Sequence, residues 1–195
     1  MESHVRYEDE RWEERDLAGT DAEAVELREM ELERVELAGS RLPRWTLKNA
    51  SLRECSLANV EAPYSDWRAV ELHGCRLTGL DLRDSSGREL LVADCRADLI
   101  SLRSARIEGA VFRDCLLTGA DFSGADLRGA RFVRCDLTEV ELREARLEGA
   151  VLDRCRLTGV RGAEGLRGAR MRWEDVLELA GAFAAALEIE LIAEE

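Results

Sequence analysis

Six thiols are the residues in this sequence with the most chemical scope, because a cysteine can act as nucleophile, redox partner or metal ligand. They stand at Cys55, Cys75, Cys95, Cys115, Cys135 and Cys155, each twenty residues from the next. Zinc centres draw on close pairs such as Cys-X-X-Cys, and the sequence contains none. The two histidines, His4 and His73, have no credible nucleophile beside them and read as solvated surface groups. The 15 glycines fall at regular intervals rather than in a phosphate-cradling loop. No residue therefore qualifies as catalytic, cofactor-binding or metal-ligating, and the chain reads as a non-enzyme.

The spacing of the thiols belongs to a wider period of five. Stepping by five from Tyr7 gives Trp12, Leu17, Ala22, Leu27, Leu32 and so on to Leu157, and 27 of those 31 positions are large apolar residues. Three are Ala and one is Gly87. Ala120-Asp-Phe-Ser-Gly, Ala125-Asp-Leu-Arg-Gly and Cys135-Asp-Leu-Thr-Glu display the block: small, polar, large apolar, then two variable residues. On an α-helix such residues would lie about 140° apart and share no face, and on a flat strand they would alternate between faces. The chain must turn once per block. The twenty-residue recurrence of cysteine then sets four blocks per coil, stacked about 4.8 Å apart into a rod of roughly 35–40 Å. All six cysteines lie on one wall. Side chains stacked in parallel there do not offer the nearly perpendicular torsion of a relaxed disulfide, so the column reads as a structural ladder in which Cys packs as Ala does.

These blocks resemble the pentapeptide repeat family, whose pattern is Ala-Asp/Asn-Leu/Phe-X-X, over about four-fifths of the chain. The resemblance implies an all-β solenoid, a right-handed quadrilateral parallel β-helix with the first and third residues of each block inside, and a C-terminal capping α-helix. Residues 1–160 would form the β-helix, 161–172 a loop and irregular last coil, and 173–195 the helix with a short strand. Three features depart from the pattern. Gly87, Ala62 and Ala97 thin the core, and Trp45 occupies a first position that normally takes a small residue, so its ring either distorts the core or escapes outward. Leu166 and Met171 stand one residue out of phase, which suggests a short loop at 161–165.

From Trp173 the period becomes helical. Val176, Ala180, Phe183 and Leu187 form an apolar stripe, with Leu177 and Ala184 beside it. Glu174 and Asp175 suit a helix N-terminus, and Ile189–Ile192 reads as a terminal strand. An open coil end exposes apolar core, so the helix is the cap. Family members with such a helix dimerise end to end, and the resemblance therefore assigns the stripe to a homodimer interface.

The net charge of −13 comes from 41 acidic and 28 basic residues, and it is uneven. Residues 1–40 carry −9 and 171–195 carry −6, while 41–170 carry +2. That acidity disfavours direct binding to nucleic acid or to an anionic membrane. No apolar run approaches the roughly 18 residues that span a bilayer, and the N-terminus lacks a leader pattern, so a cytoplasmic protein is expected. In length, acidity and C-terminal helix the sequence is similar to the quinolone-resistance branch of the family, whose members mimic duplex DNA and bind DNA gyrase. The resemblance implies antibiotic resistance through such a partner, and the paired C-terminal ends would supply a central acidic patch of Glu174, Asp175 and Glu178 to bind it. The alternative is an interaction scaffold for an unrelated partner, bound through the acidic N-terminal run of Glu8, Asp9, Glu10, Glu13 and Glu14.

Overall fold

The computed structural model describes residues 1–190 and 192. One parallel sheet winds into a four-sided solenoid in which each residue lies over the one twenty positions earlier. Leu47 stacks on Leu27, Trp67 on Leu47 and Gly87 on Trp67, so block centres repeat above block centres. Two adjacent walls carry extended strands, of which Thr46–Arg53, Asp66–His73 and Ser86–Ala93 run across their shared corner. The other two walls are held by single bridges, such as Ser56 with Arg76 and Arg41 with Glu61, each followed by a turn.

The corners explain the period. Every fifth position from His4 to Gly159 has a left-handed φ, between 51° and 74°. A side chain in that region costs about 1–2 kcal/mol. The cost is offset because the corner N–H is donated to the next coil, as from Asp9 to the Arg28 carbonyl at 3.1 Å and from Leu99 to Thr118 at 2.9 Å. His4 is one of these corners, its N–H reaching the Glu23 carbonyl at 2.8 Å, so the terminus is tied into the first coil.

Block centres and first positions fill the axis. Phe112 and Phe132 stack at 5.0 Å and 3° between planes, with Phe122 tilted 6.1 Å from Phe132. Trp45 is fully buried, which settles its direction. Its ring meets that of Trp67 edge-on at 5.4 Å and 89°. Space for the pair comes from the small Ser65 and Ser85 in the column above and from the missing side chain at Gly87. Ser65 accepts the Trp45 N–H at 3.1 Å and donates to the Ala62 carbonyl at 2.8 Å, so the small polar residue is satisfied in the core.

The C-terminal end has an irregular last coil and departs from the sequence reading beyond it. In that coil Arg170 pairs with Val151, nineteen residues on where other pairs stand twenty apart. The last coil is one residue short, tightened by a 3-10 helix at Ala163–Leu166, and this shift is what puts Leu166 and Met171 out of phase. Beyond it, the expected continuous helix is two short ones, α1 (Trp173–Glu178) and α2 (Ala180–Ala186), joined at the buried Leu179. Ile189 and Glu190 are not in a strand, and Leu191 of the expected terminal strand lies outside the described residues. Among the described residues no helix is long and apolar enough to cross a membrane.

Candidate functional site

The solenoid turns its polar positions outward and stacks them in columns, so its surface chemistry is a set of ladders. Along the middle of the rod those ladders pair opposite charges between coils. Arg134 grips Asp114 with two bonds of 2.6 Å, Arg156 reaches Asp136 at 3.3 Å and Arg161 reaches Glu141 at 3.3 Å. Exposed pairs of this kind contribute about 0–1 kcal/mol each. Glu26 is the most heavily engaged carboxylate. Burial raises its pKa, but hydrogen bonds from Arg28, Arg6 and Lys48 outweigh that and bring it down to about 2. A depressed folded-state pKa stabilises the fold above the unfolded value near 4.5, and the contribution disappears as pH falls towards 2. Glu26→Gln is therefore expected to cost about 1 kcal/mol at pH 7 and almost nothing near pH 2, read by urea unfolding at the two pH values.

The cysteine column is buried throughout and its thiols are free. Each sulfur donates to the carbonyl two residues before it and to one in the coil beneath, as Cys115 does to Arg113 at 3.2 Å and to Val92 at 3.4 Å. The hydrogen bond with Cys135 pushes the Cys115 thiol up, that with Cys95 pulls it down, and burial adds to the rise, which ends at about 12. Thiols so enclosed react slowly with a bulky aromatic disulfide reagent. Labelling at pH 8 is expected to be at least a hundredfold slower in the native chain than in urea, where all six thiols react.

Other sequence-selected groups take separate places. His73 is half-buried with its Nε2 3.2 Å from Glu71, and His4 is exposed at a corner of the first coil. Among the described residues no three His, Cys, Asp or Glu side chains converge on a cation-binding position. The surface depressions are open and mixed in charge, one of about 790 Å³ beside Glu29, Glu31 and Arg53 and one of about 650 Å³ around Gly87, Arg88 and Arg106.

The acidic end groups differ in how free they are. Glu8, Asp9, Glu10, Glu13 and Glu14 are all exposed on the first coil. Arg34 draws Glu13 and Glu14 at 2.7 and 3.1 Å, and Glu10 accepts the Trp12 indole N–H at 2.7 Å. At the other end Asp175 accepts the Arg172 N–H at 3.3 Å, Glu178 accepts the Thr158 hydroxyl at 2.7 Å, and Glu174 is exposed.

The apolar stripe expected on one helix face is divided. Past the break at Leu179, Ala184 is buried and Phe183 is half-buried, packed on the core. Val176 is half-buried. Leu177 and Leu187 are 57% and 70% exposed, with Trp173 at 70% and Ile189 at 54%, and Ala180 is exposed too. The sequence reading overlooked a second feature, apolar residues at outward positions of the strand wall: Leu91, Val111, Val133 and Val151. Their signal was present, since each replaces a polar residue at the second or fourth place of its block. Tyr64 and Leu99, both 60% or more exposed, likewise occupy corners suited to Gly or Asn.

A family model for the pentapeptide repeat region matches residues 65–142, and one for pentapeptide repeats (8 copies) matches 130–161. No curated protein matches the chain. Among solved structures, it is similar to HetL, a pentapeptide repeat protein involved in heterocyst differentiation regulation in the cyanobacterium Nostoc sp. strain PCC 7120. That match has 20% identity over 86% of this chain and 87% of the other, with a TM-score of 0.42. Trypsin-treated QnrB1, a plasmid-mediated fluoroquinolone resistance protein, matches at 14% identity over 98% and 99%, with a TM-score of 0.40. A pentapeptide repeat protein of the Arabidopsis thaliana thylakoid lumen matches at 30% identity over 56% of this chain and 70% of its own, with a TM-score of 0.40.

Proposed function

Because this chain belongs to the pentapeptide repeat family, we propose that it acts without catalysis, as a rod that binds a protein partner through its acidic first coils. The partner is a protein whose groove normally holds duplex DNA, with DNA gyrase the case to test, and the consequence is altered quinolone susceptibility. The observation that carries this reading is the exposed run Glu8, Asp9, Glu10, Glu13 and Glu14 at one end of a rod whose middle is balanced in charge. Carboxylates held on a rigid solenoid present fixed negative charge to a basic groove and give up little conformational entropy on binding. The chain works in the cytoplasm, makes no direct contact with nucleic acid, and pairs with a second copy through its C-terminal helices. In that dimer Glu174, Asp175 and Glu178 add a central acidic patch to the two acidic ends.

A gyrase supercoiling assay with excess chain, with and without a quinolone, tests the proposal. Slowed supercoiling or protection from the drug supports it, and neither effect at any concentration overturns it. The dimer has its own test. Leu177→Glu together with Leu187→Glu places charge on the exposed cap and is expected to weaken self-association at least a hundredfold, seen by analytical ultracentrifugation. A wild-type chain that sediments as a monomer removes that part of the reading.

A scaffold for an unrelated partner is favoured by one observation, the outward Leu91, Val111, Val133 and Val151 on the strand wall. An affinity pull-down from the native cell that returns one stoichiometric partner other than a topoisomerase supports this second reading.

A further inference from the structure

We propose that the first coil takes up an extended, basic segment of a partner protein as an added β-strand along residues 6–13. The proposal rests on the reading of the first coils as the partner-binding end and names the kind of chain they recognise. The parallel sheet stops here with one side unpaired. Arg6–Glu8 pairs only with Glu26–Arg28, and Arg11–Glu13 only with Glu31–Glu33. In the coil above, the Glu26 and Glu31 N–H groups are donated back to the Val5 and Glu10 carbonyls, both at 3.0 Å. The Arg28 and Glu33 carbonyls accept the Asp9 and Glu14 N–H groups at 3.1 and 3.0 Å. The equivalent groups of the first coil are the N–H of Arg6 and Arg11 and the carbonyls of Glu8 and Glu13, and among the described residues they have no partner. They form the row of donors and acceptors that a peptide completes when it extends a sheet. The opposite end of the rod is covered, with α2 packed against Ala163–Leu166 of the last coil.

Charge selects the occupant. Edge strands this short and this charged resist pairing with their own kind. Two copies meeting at this end would bring the −9 of residues 1–40 against the same −9. A strand rich in Lys or Arg meets the reverse. It would lie about 4.8 Å from the first coil. At that spacing the rod already pairs charges from coil to coil, as Arg6 does with Glu26 at 2.9 Å and Arg34 with Glu14 at 3.1 Å. Basic side chains beneath Glu8 and Glu13 repeat that arrangement from the open side, and Asp9 at the corner between them is exposed. Apolar surface is also left to cover. Tyr7 and Leu17 are half-buried, whereas Leu27 and Leu37 in the coil above are fully buried. Side chains of a strand alternate between faces, so the segment that fits alternates basic with β-branched residues.

The experiment titrates fluorescein-labelled Lys-Val-Lys-Val-Lys-Val-Lys with the full chain at physiological ionic strength and follows anisotropy. Two analogues are run beside it, one N-methylated on every valine and one on every internal lysine. Successive N–H groups of a strand point to opposite edges, so strand addition is expected to weaken one analogue at least tenfold and leave the other unchanged. Attraction by charge alone treats the two alike, because both keep every charge and side chain. Hydrogen exchange of the Arg6 and Arg11 amides, read by NMR, is expected to slow at least tenfold when the parent peptide is bound. Failure of the parent peptide to bind, equal binding of the two analogues, or unchanged exchange at Arg6 and Arg11 in the saturated chain would each overturn the proposal. Gyrase binding by the same preparation separates this result from the wider reading. A chain that binds gyrase while treating both analogues alike loses strand addition and keeps its acidic end as the interface; a chain that discriminates between the analogues without binding gyrase keeps strand addition and loses the gyrase.

Discussion

Gly87→Leu is expected to destabilise the solenoid by about 3 kcal/mol in urea unfolding, even though it places leucine where the repeat calls for a large apolar residue. The reason lies one coil below. A Cβ added at Gly87 would stand 2.6 Å from the Trp67 carbonyl oxygen and 3.3 Å from the Ile107 side chain. The first contact is with backbone, which cannot rotate away. The volume a leucine would occupy is already taken by Trp67, itself displaced by Trp45 at a position that normally takes a small residue. Trp67→Leu combined with Gly87→Leu frees the volume of the indole but leaves the carbonyl of residue 67 in place, so it should recover less than half of the loss. A Gly87→Leu chain as stable as the wild type would show that the two tryptophans do not fill this level.

The second large effect concerns charge. Replacing Glu8, Glu10, Glu13 and Glu14 by Gln and Asp9 by Asn removes five negative charges from the first coil and leaves the core untouched, since all five side chains are exposed. Its stability should change by less than about 1 kcal/mol, because Arg34 keeps its bond to Glu33. Binding to gyrase, measured by surface plasmon resonance, should fall at least tenfold at low salt, mostly through slower association, and the difference should shrink as salt rises. Equal binding by the variant at low salt would remove the first coil from the interface.

The sequence showed the solenoid because its signal is periodic and redundant: 27 large residues in one phase of five and six cysteines at intervals of twenty leave one way to wind the chain. It showed less where one residue depends on another level. Trp45 alone allows an inward or an outward ring, and only its edge-on contact with Trp67, in the space left by Ser65, Ser85 and Gly87, settles the direction. The C-terminal helices were harder for the same reason. The stripe from Val176 to Leu187 suits a continuous helix, but the one-residue shortening before Arg170 and the anchoring of Leu179 break it, turning Phe183 inward and leaving Leu187 exposed. The outward apolar residues of the strand wall escaped notice because they alternate with the buried centres and so look like part of the core.

The central claim is that the chain occupies the place of DNA on its partner, and direct competition tests it. Fluorescently labelled duplex bound to gyrase is titrated with the purified chain, and anisotropy follows the duplex. The account predicts complete displacement by the wild type and displacement at least tenfold weaker by the variant lacking the five carboxylates. Simultaneous binding of duplex and chain, or no displacement at saturating concentration, would contradict it.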